Sequence, residues 1–254
     1  MAMEFQHKTG RQARVRRSLG AAAVAGLLLA AGAGAGRADD PAVFDIDIRG
    51  LRAGTLSIAA SENASSYAVS GRLASAGLVG MVRKVSYDAT ARGALRKGRF
   101  TPRSYTERAD TGKRQSEAQM DYKSGVPQVK VQKPPMTPRP NDVDPATQGG
   151  SVDPLTALYA TLRAVEKGEE CKVSVNMFDG RRASSVTLSA PVADGDAVQC
   201  AGEYRRIAGF SEKEMAEKVR FPFILTYMPR EDGRMHVVEV TMESIYGKAR
   251  MVRR

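Results

Sequence analysis

The sequence has few of the residues on which most enzyme and metal sites depend. Its 254 residues include two histidines and two cysteines, and the first histidine, His7, lies in a basic N-terminal stretch. Walker, His-Glu-x-x-His, Gly-x-Ser-x-Gly and Gly-x-Gly-x-x-Gly motifs are all missing. These absences argue against nucleotide-binding enzymes, zinc proteases and α/β-hydrolases, so we expect neither a metal nor a cofactor.

Strong charge of one sign is also missing once the N-terminal stretch is set aside. The formal net charge is +11, but residues 1–38 contain six of the basic residues and one of the acidic ones, which leaves +6 for residues 39–254. No run of five like charges occurs there, which argues against nucleic acid as a partner. The excess favours lipid headgroups, lipopolysaccharide or another anionic envelope component.

The first 38 residues have the three-part pattern of a cleavable signal peptide. Basic residues up to Arg17 precede an apolar run at 19–33, and small residues at Gly36 and Ala38 predict cleavage after Ala38. The run of 15 residues is short for a transmembrane helix. We predict a soluble periplasmic protein without a transmembrane span, exported by the general or the twin-arginine route. A retained N-terminal anchor is the alternative.

Both cysteines, Cys171 and Cys200, lie in the predicted exported part. An even pair in an exported chain predicts a disulfide. In the chain-entropy treatment, closing a loop of this length stabilises the fold by ~3–4 kcal/mol. Two separate buried thiols are the alternative. A metal site is disfavoured, because this part has one histidine and no closely spaced cysteine pair.

The exported part has the patterns of a mostly β protein. Phe44, Ile46 and Ile48 alternate with polar residues, as in a strand with one solvent-exposed face. Similar short runs follow, separated by Gly and Asn, at 55–60, 82–90, 102–109, 116–122, 126–132, 221–227 and 235–246. We predict an antiparallel curled sheet, an open barrel or β-spiral, with one or two short helices packed against it.

Two short stretches have helix signals. Asp153 precedes Pro154 as an N-cap, and apolar residues recur at helical spacing over 155–165. This pattern predicts an amphipathic helix that plugs or flanks the sheet. Ser211 and Glu214 have the spacing of a capping box, which predicts a second, shorter helix.

Residues 133–152 interrupt these patterns. The stretch contains five prolines and the pair Gly149-Gly150, which sustain neither a helix nor a strand ladder. Neither half of the chain has a separate fold pattern. We therefore interpret 133–152 as a Pro-rich surface loop within a single β-rich domain, residues 39–254, rather than as a linker between two domains.

Asp179-Gly180 is a strong hairpin signal between two alternating apolar runs. Type I′ turns need positive φ at both central positions, and Asp-Gly tolerates it. The turn does not explain the next two residues, Arg181 and Arg182, which are candidate ligand contacts. On a strand they would point to opposite faces, so they would bind one ligand together only if the strand contained a bulge.

Two further features are candidate sites. The apolar stretch 76–82 contains two glycines, and as a flexible lip of a cavity it would offer Leu78 and Met81 to an acyl chain. A buried bend between strands is the alternative. His236 is the only histidine after residue 38 and falls in register with apolar neighbours. A satisfied histidine at the core edge is the simpler interpretation, and a catalytic base is the alternative.

The order of these features resembles the exported proteobacterial family known as domain of unknown function 3108. The matching stretches are 44–54, with a strand and a Gly-containing turn, then 98–102 ahead of Tyr105, then 153–159. The most specific stretch is 175–182, Val-Asn-Met-Phe-Asp-Gly-Arg-Arg, which holds the motif turn Phe178, Asp179 and Gly180. The resemblance extends over nearly all of the predicted exported part.

The resemblance implies a fold more than an activity. The sequence departs from the family pattern at Ala183 and Ser184, where the resemblance implies bulkier residues. The family is similar to other exported proteins with curved, open barrels, including carriers of lipids or lipoproteins and envelope integrity factors. We expect a non-enzymatic cell-envelope protein that binds an apolar or amphipathic ligand or an envelope partner. The alternatives are an assembly factor without a ligand and a hydrolase that uses His236.

Overall fold

A computed structural model describes residues 37–77, 80 and 84–254 of the chain. All but the last two residues of the predicted signal peptide lie outside the described residues. The strands are β1 Arg37–Ile48, β2 Leu51–Glu62, β3 Ser66–Ser75, β4 Ser86–Arg96, β5 Arg99–Asp110, β6 Gln115–Lys123, β7 Val126–Lys133, β8 Ser174–Phe178, β9 Ala183–Asp194, β10 Ala197–Ala208, β11 Arg220–Pro229, β12 Met235–Ser244 and β13 Gly247–Arg253. The helices are α1 Pro154–Leu162 and α2 Glu212–Glu217, with a 3-10 turn at Pro145–Thr147.

The thirteen strands form one antiparallel sheet in the order β7-β6-β5-β4-β3-β2-β1-β13-β12-β11-β10-β9-β8. The sheet curls into a nearly closed barrel with one unsealed seam, between β7 and β8. The predicted mostly β fold is confirmed. The predicted last strand, 235–246, is too long, because the strand stops at Ser244 and Ile245-Tyr246 turns the chain into β13. The turn was missed because both of its residues have apolar strand chemistry.

Neighbouring strands run in opposite directions, so the barrel has two ends. We call the end at which β1, β3, β5, β10 and β12 finish the mouth end, and the opposite end the far end. Side chains alternate between the lumen and the outside along each strand. The lumen register brings Phe44 opposite Leu56, and Leu225 opposite Val240. These four side chains are buried and belong to the core.

Helix α1 lies inside the barrel, against β3, β4, β5 and β8. Seven of its nine residues are buried, so the helix is not amphipathic as predicted, because the sheet surrounds it. Its close packing depends on Gly71, where a Cβ would lie 2.6 Å from Leu155 Cδ1. The helix ends at Leu162, because Arg163 adopts an extended conformation with ψ of 156°.

The segment before α1 covers part of the seam. The Gly150 N–H donates to the Gly125 carbonyl of the β6–β7 turn at 2.9 Å. The Val152 N–H then donates to the Asn176 carbonyl of β8, also at 2.9 Å. The Pro-rich loop is held at the mouth end, where Arg181 donates to the Thr137 carbonyl at 2.8 Å. The loop is thus attached to both edge strands or their turns.

The predicted disulfide is present. The Cys171 and Cys200 sulfurs are bonded at 1.95 Å, with Cα atoms 5.4 Å apart. Cys200 is fully buried on β10, so the bond ties the connection between α1 and β8 to the inside of the barrel wall. Within residues 37–77, 80 and 84–254, no helix has the length and apolar character needed to cross a bilayer.

Candidate ligand-binding mouth of the barrel

At the mouth end the barrel opens into a cavity of about 1050 Å³, which we call the mouth. Pro154 contributes to its lining, so the first residue of α1 lies at its base. Its main apolar residues are Met136, Met177, Tyr204, Phe221, Met242, Ile245 and Tyr246. Its charged residues are Arg114, Lys133, Arg139, Arg181, Arg182, Arg206, Glu107, Glu117 and Asp179.

The apolar wall follows from strand register. Tyr204 on β10 pairs with Phe221 on β11, and Phe223 pairs with Met242 on β12. Residues that face each other across antiparallel strands point to the same side of the sheet. Successive strands therefore bring aromatic and methionine side chains to one continuous surface. The Tyr204 and Phe221 ring centroids are 5.6 Å apart.

Arg206 lies between two aromatic rings on this wall. Its guanidinium carbon is 5.2 Å from the Phe210 ring centroid and 5.0 Å from the Phe221 centroid. Its Nη1 donates to the Lys218 carbonyl at 2.8 Å and to the Glu214 carbonyl. These contacts fix the position of the guanidinium group, and the aromatic faces favour its positive charge.

Arg114 and Arg139 lie at the outer part of the mouth and are exposed. Across the part of the chain that the structure describes, neither guanidinium group forms an ion pair. The two side chains come from different elements, the β5–β6 turn and the Pro-rich loop. They are positive charges that the fold leaves to solvent.

The acidic residues of the mouth have partners in the wall. The Tyr105 hydroxyl donates to Glu107 at 2.6 Å, and Lys133 pairs with Glu117 at 3.2 Å. Burial, together with the neighbouring Glu107 carboxylate, raises the pKa of Tyr105 well above its usual range. Tyr105 is therefore a neutral donor at physiological pH, and cationic residues outnumber acidic residues in the lining of the mouth by six to three.

The turn between β8 and β9 is where the sequence predicts one, but its geometry is different. It has four residues, 179–182, and within it only Gly180 has positive φ, at 96°. The prediction of a two-residue type I′ turn is therefore wrong. Asp179 stabilises the wider turn, because its Oδ1 accepts from the backbone N–H groups of Arg181 at 3.0 Å and Arg182 at 2.7 Å. Phe178, the residue before it, is fully buried.

Arg181 and Arg182 both line the mouth. The prediction that they point to opposite faces is wrong, because neither lies on a strand. Arg181, whose side chain is 11% exposed, pairs with Asp142 of the Pro-rich loop at 3.1 Å. Arg182 is more exposed, pairs with Asp179 at 2.7 Å and lies over the Phe210 ring at 5.3 Å. Both arginines thus have an acidic partner, and Arg182 is the one whose side chain is more exposed at the cavity.

A buried polar cluster lies beneath the mouth, at the start of α1. The Asp153 carboxylate accepts from the Thr156 N–H at 2.8 Å and from the Thr156 hydroxyl at 2.7 Å. The Tyr67 hydroxyl is 2.8 Å from that Thr156 oxygen. Burial raises the pKa of Asp153 to about 6, against the opposing effect of its hydrogen bonds with Thr156. The cluster caps the helix and places a titratable group next to the mouth.

The far end has a second cavity, of about 790 Å³. Its lining includes charged residues that already have partners. Arg163 pairs with Glu62 at 3.2 Å, and Lys172 pairs with Glu169 at 2.6 Å. The polar lining and the paired charges make this cavity a poorer match for an apolar ligand than the mouth.

His236 is buried, with its Nε2 2.9 Å from Asp232 Oδ2. Burial lowers the pKa of His236, which outweighs the opposing effect of Asp232. The imidazole has the acidic partner that a hydrolase would need. However, the cavity beside it measures about 20 Å³, which is room for a single water.

Two predicted contacts, Leu78 and Met81, lie outside the described residues. The strands on either side of them, β3 and β4, finish and begin at the mouth end, at Ser75 and Ser86. The flanking backbone is ordered by a hydrogen bond from the Ala76 N–H to the Ala53 carbonyl at 3.0 Å. Their proposed role as ligand contacts stays a prediction.

Sequence reasoning missed Arg206, Phe210 and Phe221 as one cluster. The two phenylalanines flank a short helix and have the pattern of packing residues. One signal was available: Arg206 follows Tyr204 by two residues on a strand, so both point to the same side. An arginine in the apolar register of a strand is unusual and would have marked the site.

The chain was also compared with known proteins. No curated protein matches the sequence. Among solved structures, the chain is similar to a β-barrel-like protein of domain of unknown function DUF1849 from Brucella abortus. The identity is 12%, the TM-score is 0.46, and the match covers 84% of this chain and 94% of that chain. The family described as protein of unknown function (DUF3108) matches residues 43–251, from β1 to β13. The chain belongs to the DUF3108 family.

Proposed function

We propose that this protein is a non-enzymatic periplasmic binding protein that holds an amphipathic ligand with an anionic headgroup in the mouth. The observation that carries the proposal is the lining of the cavity, which combines an aromatic and methionine wall with six cationic and three acidic side chains. Ligand sites are typically mostly apolar, with a few placed polar groups. Arginines are well suited to carboxylate and phosphate groups.

The lining suggests how such a ligand would lie. Its apolar part would contact the wall around Phe221 and Met242, above Pro154. Its headgroup would face outward to Arg114 and Arg139, whose charges have no acidic partner among the described residues. Since α1 fills the middle of the barrel, the ligand would occupy the end of the barrel and not its whole length.

Two observations support export to the periplasm. The basic stretch, apolar run and small residues before residue 39 have the pattern of a signal peptide. The disulfide between Cys171 and Cys200 fits an oxidising compartment. An anionic amphiphile would be available there from the envelope lipids or from lipopolysaccharide, which are the partners that the basic charge favours.

A fluorescent fatty acid tests the proposal. We expect the purified protein to bind dansyl-undecanoic acid saturably, with a rise in dansyl emission. The double variant Arg114→Glu and Arg139→Glu should weaken binding about tenfold or more, because each cation near an anionic group contributes on the order of 1 kcal/mol. The matched control is Arg103→Glu with Lys123→Glu, which changes net charge equally at two exposed positions outside the mouth.

The alternatives give different results. A protein that shows no saturable binding of the probe would be an assembly factor without a ligand. Equal weakening in both double variants would attribute binding to net charge alone and not to the mouth. Steady hydrolysis of a p-nitrophenyl ester that His236→Gln abolishes would overturn the non-enzymatic assignment in favour of the hydrolase.

A further inference from the structure

Exposed large apolar side chains concentrate at the mouth end. Among the described residues there are six of them, with exposed fractions of 56% for Leu51, 48% for Ile207, 40% for Ile245, 66% for Tyr246, 63% for Val192 and 38% for Ile224. The first four lie where strands begin or end at the mouth, and we call these four residues the rim. Val192 lies near the far end of β9, and Ile224 lies on β11.

Hydrogen bonds connect the turns that carry the rim. The Arg49 side chain of the β1–β2 turn donates through Nε to the Tyr246 carbonyl at 2.7 Å. The Arg49 N–H donates to the Lys248 carbonyl at 2.8 Å. On the other side of the β12–β13 turn, Lys218 Nζ donates to the Glu243 carbonyl at 2.5 Å. The β12–β13 turn that presents Ile245 and Tyr246 is thus braced on both sides.

Basic side chains accompany the rim. Arg49 and Lys248 flank the β12–β13 turn, and Lys113 and Arg114 form the β5–β6 turn. All four are exposed. Exposed apolar groups and several cations at one end of a protein are the combination that binds the interface of a bilayer with anionic lipids. A protein partner would need a specific shape, whereas a bilayer needs only these two components.

We propose that the rim docks onto a bilayer that contains anionic lipid, so that the mouth opens against the membrane and exchanges its ligand there. This inference rests on the proposed function, because docking gives the mouth a source or a destination for an amphipathic ligand. Tyr246 would enter the headgroup region, where tyrosine is favoured, and the basic turns would contact anionic headgroups.

The absence of tryptophan from the chain gives a clean probe. We expect Tyr246→Trp to shift its emission to shorter wavelength with vesicles of phosphatidylcholine and phosphatidylglycerol, and to be quenched by brominated lipid. Vesicles of phosphatidylcholine alone should give a much smaller shift. The control is Val192→Trp, which is equally exposed but lies away from the mouth, and its emission should not respond.

A second pair of variants separates docking from ligand binding. Leu51→Ser with Ile207→Ser, at the two rim residues that lie outside the lining of the mouth, should lower partition into the anionic vesicles about tenfold, because two apolar groups no longer leave water. Val192→Ser should partition like the unmodified protein. Both should bind dansyl-undecanoic acid in the absence of vesicles as well as the unmodified protein does.

Several outcomes decide the matter. Unchanged emission of Tyr246→Trp with anionic vesicles would overturn membrane docking and leave a protein as the partner of the rim. The same response from Val192→Trp would also overturn it. Binding of the fatty acid without docking to vesicles would refute membrane docking of the rim and leave ligand binding in the mouth supported. A vesicle response in a protein that never binds the fatty acid would refute the proposed function and support docking.

Discussion

The two ends of the barrel are built from the same kind of hairpin, yet their turns carry different chemistry. At the mouth end, turns present Lys113-Arg114 and Ile245-Tyr246 to solvent. At the far end, the two-residue turns are Lys97-Gly98, Ser124-Gly125 and Gly195-Asp196, and none of them presents a large apolar side chain. Small and acidic residues suit a turn that has only to reverse the chain. The mouth-end turns carry side chains that turn formation does not require.

The interactions that hold the fold together also divide between the ends. The disulfide and the pair between Arg163 and Glu62 tie the end of α1 and the next connection to the far half of the barrel. The exposed charges of Arg114 and Arg139 contribute no ion pair to the described fold. The far half of the barrel thus holds the covalent bond, whereas Arg114 and Arg139 at the mouth end form no ion pair among the described residues and would serve the proposed binding, a division often seen between scaffold and site.

The largest effect is expected from removal of the disulfide, which tests that division. We expect Cys171→Ala with Cys200→Ala to lower the free energy of unfolding by about 3–4 kcal/mol, because the unfolded chain regains the entropy of a closed loop of about 30 residues. Urea denaturation measures the loss. Below its melting temperature, the variant should bind dansyl-undecanoic acid like the unmodified protein, since the bond lies away from the mouth.

Reduction of the unmodified protein provides the matched control. Reduction should cause most of the same decrease in the free energy of unfolding, and it replaces no residue. A loss of probe affinity that exceeds the loss expected from unfolding alone would show that the far end also shapes the mouth, and the division between the ends would fail.

Much of the fold was predictable, because alternation reports which strand face is buried. The alternating apolar and polar residues around Phe44 and Leu225 predict strands for that reason. The environment of α1 was not predictable, because a pattern of apolar residues does not distinguish a helix with one packed face from a helix surrounded by a sheet. The Ile245-Tyr246 turn was missed since neither residue is a typical turn former.

The candidate site was predictable only in part. Asp179 and Gly180 marked a turn, and Arg181 and Arg182 were singled out as residues that the turn did not explain. The cluster around Arg206 escaped notice, because its two rings come from other positions in the chain and meet only when β10, α2 and β11 are folded. Register across a curled sheet depends on residues far apart in the chain, and a single sequence carries little information about it.

A smaller effect is expected at the base of the mouth. We expect the free energy of unfolding of Asp153→Asn to differ from that of the unmodified protein by an amount that depends on pH. The pKa of Asp153 is about 6 in the folded protein and about 3.9 in an unfolded chain. Between about pH 3.9 and about pH 6, Asp153 therefore holds a proton in the folded protein that it has lost in the unfolded chain. Stability from this group is present at low pH and is lost as pH rises through 6, by up to about 3 kcal/mol.

Asparagine keeps the cap but does not ionise, so the variant should gain stability relative to the unmodified protein between acidic and neutral pH. Urea denaturation across that range measures the change. Asp144→Asn is the matched control, because Asp144 also caps a helical turn ahead of a proline but is exposed. A stability difference for Asp153→Asn that stays constant with pH would contradict the assignment of a buried, titrating carboxyl group.

The smallest effect compares one turn from each end. Asp179→Ala removes two backbone hydrogen bonds and the partner of Arg182, so the free energy of unfolding should fall by about 1–2 kcal/mol. Asp196→Ala, in an exposed far-end turn, should change it by less than about 0.5 kcal/mol. Loss of Asp179 also makes the mouth more positive, so dansyl-undecanoic acid should bind a few-fold more tightly to that variant and unchanged to the other. Weaker binding to Asp179→Ala would mean that the turn's shape, rather than its charge, matters to the ligand.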